Sequence, residues 1–160
     1  MSAPIELKHD DLGRVVSAKF VSAAPLPSDA EPWLVAIDGS KQSLHALEEA
    51  VKLAAAARLS VSLVTVLPWR SKEASIDLPH QGWAQLADAA ARLDEAGLPW
   101  QAFAVMDEPA AGILACAKDL AARVIVIGSH GRGAVEAMLM GSVALEVLHH
   151  AKVSVMVVRS

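Results

Sequence analysis

The chain has 160 residues, of which 54% are hydrophobic and 20% are charged, and its formal net charge is −4 at pH 7. This length suits one domain. No apolar run reaches the roughly 18–20 residues that cross a bilayer, so a membrane-spanning helix is not expected. The negative net charge gives no indication of a basic surface for a nucleic acid polymer. Residues 1–12 lack the apolar stretch of a signal peptide and Cys116 is the only cysteine, so we expect a cytoplasmic protein without a disulfide or a thiolate metal cluster.

The first 32 residues differ from the rest of the chain. Three prolines between Ser22 and Pro32 indicate a linker or lead-in. The preceding run, Arg14–Val21, could form a short strand or an arm that docks on a neighbour, but we favour a mobile tail. We therefore predict an N-terminal extension over residues 1–32 and a single domain over residues 33–160.

From residue 33 onward, short apolar runs alternate with helical patterns. The predicted elements are, in chain order, a strand at 33–37, a helix at 42–57 with Ser40 as its N-cap, a strand at 61–67, a helix at 81–96 ending at Gly97, a strand at 100–105, a helix at 109–121, a strand at 124–127 and a last strand at 153–158. Continuous apolar strands that alternate with helices indicate an α/β fold, with a parallel sheet covered by helices on both faces. The last strand, Val153–Val158, is expected at a sheet edge, where it could pair with a second copy in a homodimer.

Two of the predicted strands end in residues suited to ligand binding. Asp38 follows the first strand, and Gly128 follows the fourth. Ligands of doubly wound sheets bind beyond the carboxyl ends of the strands, where the strand order reverses. If these two strands are neighbours across that reversal, Asp38 and Gly128 line one crevice.

The segment after the fourth strand is rich in glycine. Gly128, Gly131 and Gly133 allow the backbone to turn its N–H groups toward an anion. With Ser142 as N-cap, a helix over residues 143–151 would direct its dipole at a phosphate. The alternative is one helix over residues 134–151, in which Gly141 costs only about 0.5–1 kcal/mol relative to alanine. The residues alone leave both interpretations open.

This segment also carries a family resemblance. Gly128-x-x-Gly131, nine further residues and Gly141-Ser142 match the G-x-x-G-x(9)-G-(S/T) signature of ATP-binding universal stress protein domains. The chain resembles that family from about Trp33 to Arg159. The resemblance implies a single doubly wound domain with a five-stranded parallel sheet of order 3-2-1-4-5, a homodimer through the last strand, and a bound adenine nucleotide, ATP, with or without Mg²⁺.

The resemblance also assigns residues to the base and ribose. The backbone of Ala36 and the carboxylate of Asp38 would lie at the ribose and adenine end. Val66 would contact adenine, with backbone groups that read the edge of the base. Ile127 and Gly128 would lie beneath the ribose and the start of the phosphate chain.

A second group of residues would surround the phosphates. The resemblance places Gly131, Gly141, Ser142 and Val143 there, with Ser142 offering its hydroxyl and its backbone N–H. Arg132 lies within the glycine segment and could pair with a phosphate, although an arginine in such a loop is often only solvated. Asp107-Glu108 precede Pro109 where the family often has a glycine, which we expect to alter a loop and leave binding intact.

The sequence contains no recognisable catalytic set. It has no Gly-x-Ser-x-Gly elbow, no Walker A lysine and no spaced pair of carboxylates in a shared loop, and its histidines have no metal-ligand spacing. We therefore predict an ATP-binding regulatory protein of the stress response with little or slow hydrolysis. The alternatives are a nucleotide-free dimeric interaction module, or a slow ATPase or nucleotidyl-transfer enzyme. Trp69, Trp83 and Trp100 are expected in a packed interior, and Cys116 is expected to be inert.

Overall fold

The computed structural model of the chain describes residues 3–29, 31–57, 59–69, 77–131 and 140–159. Within these ranges it contains seven strands and four helices. In chain order they are β1 (Glu6–His9), β2 (Val15–Val21), β3 (Glu31–Ala36), α1 (Lys41–Ala56), β4 (Leu59–Leu67), α2 (Leu78–Glu95), β5 (Trp100–Met106), α3 (Pro109–Asp119), β6 (Val124–Gly128), α4 (Ser142–His150) and β7 (Ser154–Val158).

All seven of these strands belong to one sheet, in the order β1-β2-β5-β4-β3-β6-β7. The neighbouring strands from β5 to β7 are parallel, whereas β2 is antiparallel to β5 and β1 is antiparallel to β2. Numbered from β3, the parallel strands lie in the order 3-2-1-4-5, as the resemblance implied. The prediction of a five-stranded, wholly parallel sheet is nevertheless wrong, because the N-terminal hairpin β1–β2 makes the sheet seven-stranded and mixed.

The N-terminal hairpin is held to the sheet by backbone pairing and by burial. Residues 17–21 of β2 pair with residues 101–105 of β5. Ala18 and Phe20 are fully buried, and β2 packs against α2. The favoured mobile tail is therefore wrong for this segment, since alternate residues of β2 enter the core while its backbone pairs with the edge of β5.

The helices lie on both faces of the sheet, as predicted. One core contains Leu47 of α1 and Leu86 of α2, and the other contains Ile113 of α3 and Val147 of α4. Strand β3 supplies both cores because successive side chains of a strand point to opposite faces. Within the described ranges, none of the helices combines the length and the apolar character that a bilayer span requires.

Local chemistry explains where the first two helices begin and end. The Ser40 hydroxyl accepts a hydrogen bond of 3.2 Å from the backbone N–H of Ser43, so Ser40 is the N-cap of α1, as predicted. Helix α2 begins at Leu78, three residues earlier than predicted, with Pro79 in its first turn, where proline is tolerated. Gly97 follows α2 with a φ of +66°, the left-handed conformation that glycine adopts after helices.

Candidate functional site

A cleft of about 790 Å³ opens at the carboxyl ends of the parallel strands. Strand β3 lies between β4 and β6, so the cleft is at the point where the strand order reverses, as expected for this kind of sheet. Nine of the ten residues named from the sequence line it, namely Ala36, Asp38, Val66, Ile127, Gly128, Gly131, Gly141, Ser142 and Val143. The tenth, Arg132, lies outside the described residues.

Asp38 is fixed at the entrance of α1. Its Oδ1 atom accepts a hydrogen bond of 2.9 Å from the backbone N–H of Ser40, and its own N–H donates to the Ser43 hydroxyl at 3.4 Å. A Cβ atom on Gly131 would lie 2.7 Å from Asp38 Oδ2. The missing side chain at residue 131 therefore leaves room for the carboxylate beside the glycine segment.

Gly128 allows a second close approach at the end of β6. A Cβ atom on this residue would lie 3.2 Å from both the backbone carbon and the backbone oxygen of Gln42, in the first turn of α1. Backbone atoms of a helix cannot swing away as a flexible side chain can. The first turn of α1 therefore lies directly against the end of β6, and both form the same wall of the cleft.

The two halves of the glycine signature touch each other. The backbone N–H of Gly141 donates to the Ser129 carbonyl at 2.7 Å, and the Ser129 N–H donates to the Val158 carbonyl at 2.8 Å. Ser129 is 2% exposed, and its hydroxyl is 3.0 Å from His130 Nδ1. Residues 128–131 and 141 thus form one corner of the cleft, which we call the glycine corner.

Helix α4 begins at the glycine corner. Gly141 is its N-cap, with an extended backbone (φ −71°, ψ 154°) and Ser142 as the first helical residue, so the prediction of Ser142 as N-cap is wrong by one position. The alternative of one helix through residue 141 is also wrong. Leu145 N–H makes the first helical bond, to the Gly141 carbonyl at 3.0 Å. The N–H groups of residues 142–144 therefore precede the helical ladder, at the end of the helix that favours anions.

The opposite end of the cleft exposes backbone groups of β4. Ile37 N–H donates to the Val64 carbonyl at 2.8 Å, so Val64 directs its backbone groups toward β3. Alternate residues of a parallel strand direct these groups to the same side, and Val66 therefore faces the same way. Because β3 ends at Ala36, the Val66 N–H and C=O lie past the end of that strand and border the cleft.

Helix α3 closes the wall behind Val66. A Cβ atom on Gly112 would lie 2.8 Å from both Cγ atoms of Val66, so α3 packs closely on this side chain. Pro109 and Ile113, from the same helix, also line the cleft. Helix α3 begins at Pro109, as predicted, with Glu108 as its N-cap.

Helix α2 supplies polar residues that sequence reasoning missed. Gln81 and Gln85 line the cleft, and the fully buried Thr65 hydroxyl donates to Gln85 Oε1 at 2.6 Å. The two glutamines are four residues apart, which places both on one face of the helix. In a stretch otherwise rich in alanine and leucine, this pair of polar residues was the sequence signal that could have identified them. Ser43, three residues after the N-cap Ser40, lines the cleft as well, and so does Ser129, which directly follows Gly128.

Other residues singled out in the sequence do not line this cleft. Phe20, Trp83 and Trp100 pack together, with ring centroids 5.1 and 6.1 Å apart, whereas Trp69 is 42% exposed, so its predicted burial is wrong. Burial raises the pKa of the Cys116 thiol to about 12, which agrees with an inert cysteine. Among the described side chains, no group of three or more histidine, cysteine or acidic residues is placed to hold a metal ion.

The model of the Universal stress protein family matches residues 31–159. The chain belongs to this family. The universal stress protein Rv2005c of Mycobacterium tuberculosis is 37% identical over 145 residues, which cover 84% of this chain and 47% of that relative. The chain therefore spans about half the length of the curated relatives it matches.

Solved structures of universal stress proteins share this fold. A crystal structure of a universal stress protein in complex with cAMP superposes with a TM-score of 0.67 at 26% identity, covering 82% of this chain and 98% of that one. The universal stress protein from Archaeoglobus fulgidus in complex with dAMP gives a TM-score of 0.61 at 25% identity, covering 79% and 96%. The resemblance to the universal stress protein family is thereby confirmed, and both of these solved proteins hold an adenine nucleotide.

Proposed function

We propose that this universal stress protein binds an adenine nucleotide, ATP, in the cleft and acts as a nucleotide-dependent regulator of the stress response. The observation that carries the proposal is the glycine corner. The hydrogen bond from Gly141 to Ser129 joins the two halves of the signature beside the N–H groups that precede the helical ladder of α4. Glycine backbone N–H groups and a helix N-terminus together form an environment suited to phosphate oxygens.

The opposite end of the cleft supports adenine as the base. The Val66 backbone offers one donor and one acceptor side by side. Adenine presents an acceptor nitrogen, N1, next to the amino group at C6, and this pair is complementary to a backbone N–H and C=O. The apolar residues Pro109 and Ile113 line the cleft near this edge and supply a surface on which a flat ring can pack.

Asp38 lies between these two ends of the cleft. Its carboxylate can accept hydrogen bonds from ribose hydroxyls, as an acidic residue does in dinucleotide-binding sheets. It is the only carboxylate among the described residues that line the cleft. A Mg²⁺ ion that accompanies ATP would therefore be held mainly by the phosphates and by water, with Asp38 as the acidic ligand that the described lining offers.

The same residues support slow hydrolysis. Rapid phosphoryl transfer requires a positioned base and several cationic groups around the transferred phosphate. Asp38 is a single carboxylate, and the sequence lacks a Walker A lysine. We expect a turnover no faster than the about 10⁻⁴–10⁻² s⁻¹ of GTPases that act without an activating partner.

A homodimer through β7 is part of the proposal. This strand pairs with β6 on one side and ends the order of the sheet. Its residues Val155 and Val157 are half-buried, and an unpaired apolar edge can add a second copy of the same strand, here over Val153–Val158.

A cytoplasmic location is also proposed, on the ground that the one cysteine of the chain is a buried thiol.

Calorimetric titration tests the nucleotide proposal. The wild type is titrated with ATP, AMP and cAMP, each with and without Mg²⁺, and we expect micromolar binding, about −8 kcal/mol at a Kd of 1 µM. In Gly141→Ala the new Cβ atom would lie in ordinary van der Waals contact, 3.4 Å from the Ser129 carbonyl oxygen and 3.9 Å from the Gly131 nitrogen. The methyl group therefore fits without displacing the backbone but fills part of the glycine corner, and we expect it to weaken binding. Asp38→Ala also weakens binding.

The matched control for Gly141→Ala is Gly97→Ala. A Cβ atom on Gly97 meets no atom within 4 Å, and the positive φ there makes alanine unfavourable without affecting the cleft. This variant should lose stability and keep its affinity. A well-folded wild type that binds none of the three nucleotides would refute the proposal and favour the nucleotide-free interaction module.

A further inference from the structure

The N-terminal hairpin reaches the rim of the cleft. Arg14, the residue before β2, places its guanidinium carbon 4.8 Å from the centre of the Trp69 ring. Trp69 directly follows Leu67 and Pro68, and both of these residues line the cleft. Arg14 lies outside the family-matched region, residues 31–159. It nevertheless contacts the segment that forms the base end of the site.

The side chain of Arg14 is held in place by Asp10. Its Nε atom donates to Asp10 Oδ2 at 2.7 Å, and a terminal nitrogen lies 2.6 Å from the same oxygen. The Arg14 and Leu12 backbone N–H groups donate to Asp10 Oδ1 at 2.9 and 3.0 Å. The Arg14 side chain and backbone donors hold the pKa of Asp10 below its ordinary value, which favours the ionised form of the carboxylate that holds Arg14.

The hairpin that carries this pair is fixed to the sheet. Strand β2 pairs with β5 over five residues, and Ala18 and Phe20 are fully buried. Arg14 therefore projects from a rigid element, whereas Trp69 lies in the connection between β4 and α2 and is 42% exposed. Of the two partners in the contact, the hairpin is the one that can position the other.

We propose that the N-terminal hairpin is a functional part of the nucleotide site, in which Arg14, held by Asp10, positions Trp69 and thereby the cleft wall at Leu67 and Pro68. This inference rests on the proposed function above. Arg14 does not line the cleft and is a positioning residue. A cation–ring contact at an exposed site contributes about 0.5–1 kcal/mol, which corresponds to about a two- to fivefold change in affinity.

Lys19 provides a matched control on the same hairpin. Its Nζ atom lies 5.6 Å from the centre of the Phe103 ring, so it also makes a cation–ring contact between β2 and the rest of the sheet. Phe103 does not line the cleft. Lys19→Ala therefore removes a comparable contact without reaching the base end of the site.

The test is calorimetric titration with ATP of the full chain and five variants. Arg14→Ala and Trp69→Leu should each weaken binding two- to fivefold, and the double variant should bind no more weakly than either single variant, because both remove the same contact. Arg14→Lys should restore most of the affinity, and Lys19→Ala should bind like the wild type. Acrylamide quenching without nucleotide should increase in Arg14→Ala, since Trp69 is the most exposed of the four tryptophans.

These titrations distinguish a failure of the positioning role of Arg14 from a failure of nucleotide binding itself. If the wild type binds ATP and Arg14→Ala binds it equally well, the positioning role is refuted and nucleotide binding stands. An equal loss in Lys19→Ala would also refute it, since the effect would then be a general loss of stability. A wild type that binds no adenine nucleotide refutes both. If Arg14→Ala does not fold, Trp69→Leu tests the same contact from its exposed side.

Discussion

The Asp38 carboxylate lies directly against Gly131. Its Oδ2 atom is 2.7 Å from the position that a Cβ atom on residue 131 would occupy, while its Oδ1 atom accepts a hydrogen bond from Ser40. Any side chain at residue 131 must therefore displace the carboxylate. The glycine keeps Asp38 at the junction between the base end of the cleft and the glycine corner.

Gly131→Ala should weaken ATP binding by about tenfold, or about 1.4 kcal/mol, because the new methyl group displaces Asp38. In an Asp38→Ala background the same substitution should cost much less, since the oxygen that it would strike is gone. Calorimetric titration of the wild type, the two single variants and the double variant measures this coupling. Strictly additive losses would show that the two residues act independently.

Gly82 allows α2 to pack closely on β5. A Cβ atom there would overlap the Cβ atom of Ala104 in β5. Gly82→Ala should lower the free energy of unfolding by about 1–3 kcal/mol, the usual cost of overpacking, as measured by urea denaturation. Adding Ala104→Gly should recover most of this loss. Wild-type stability of Gly82→Ala alone would contradict this packing.

Cys116 should react slowly with thiol reagents in the folded protein. Burial raises its pKa to about 12, so almost no thiolate is present at pH 8, whereas an unfolded cysteine has a pKa of about 8.5. Ellman's reagent should react rapidly only in denaturant. Because the folded pKa is raised, the unfolded thiol ionises at a lower pH than the folded one. The free energy of unfolding should therefore keep its full value below about pH 8.5 and decrease as the pH rises toward 12. Cys116→Ala should lack this alkaline loss, and rapid labelling of native protein would contradict the burial.

The alternating part of the fold could be predicted because its signals are local. Strands β3–β7 are short apolar runs between helices, and Ser40, Gly97 and Pro109 mark helix ends as expected. The hairpin β1–β2 could not be predicted in the same way. Its stability depends on the edge of β5 and on the cover of α2, and neither is encoded in the local pattern of residues 6–21.

The location of the site was predictable, but its walls were not. Strand ends, the glycine signature and the family resemblance together identified nine described residues that line one cleft. Gly112 and Gln85 were missed because their proximity to Val66 and Thr65 depends on how α3 and α2 dock on the sheet. The N-cap of α4 was misplaced by one residue because Gly141 and Ser142 are both acceptable there.

The central claim is that phosphates bind at the glycine corner and the base binds at Val66. Backbone amide chemical shifts, followed by NMR during titration with ATP, adenosine and inorganic triphosphate, test it directly. ATP should shift the amides of Val66, Gly131 and Gly141. Adenosine should shift mainly Val66, and triphosphate mainly the two glycines. Shifts confined to residues away from this cleft, or no shifts at millimolar ATP, would contradict the account.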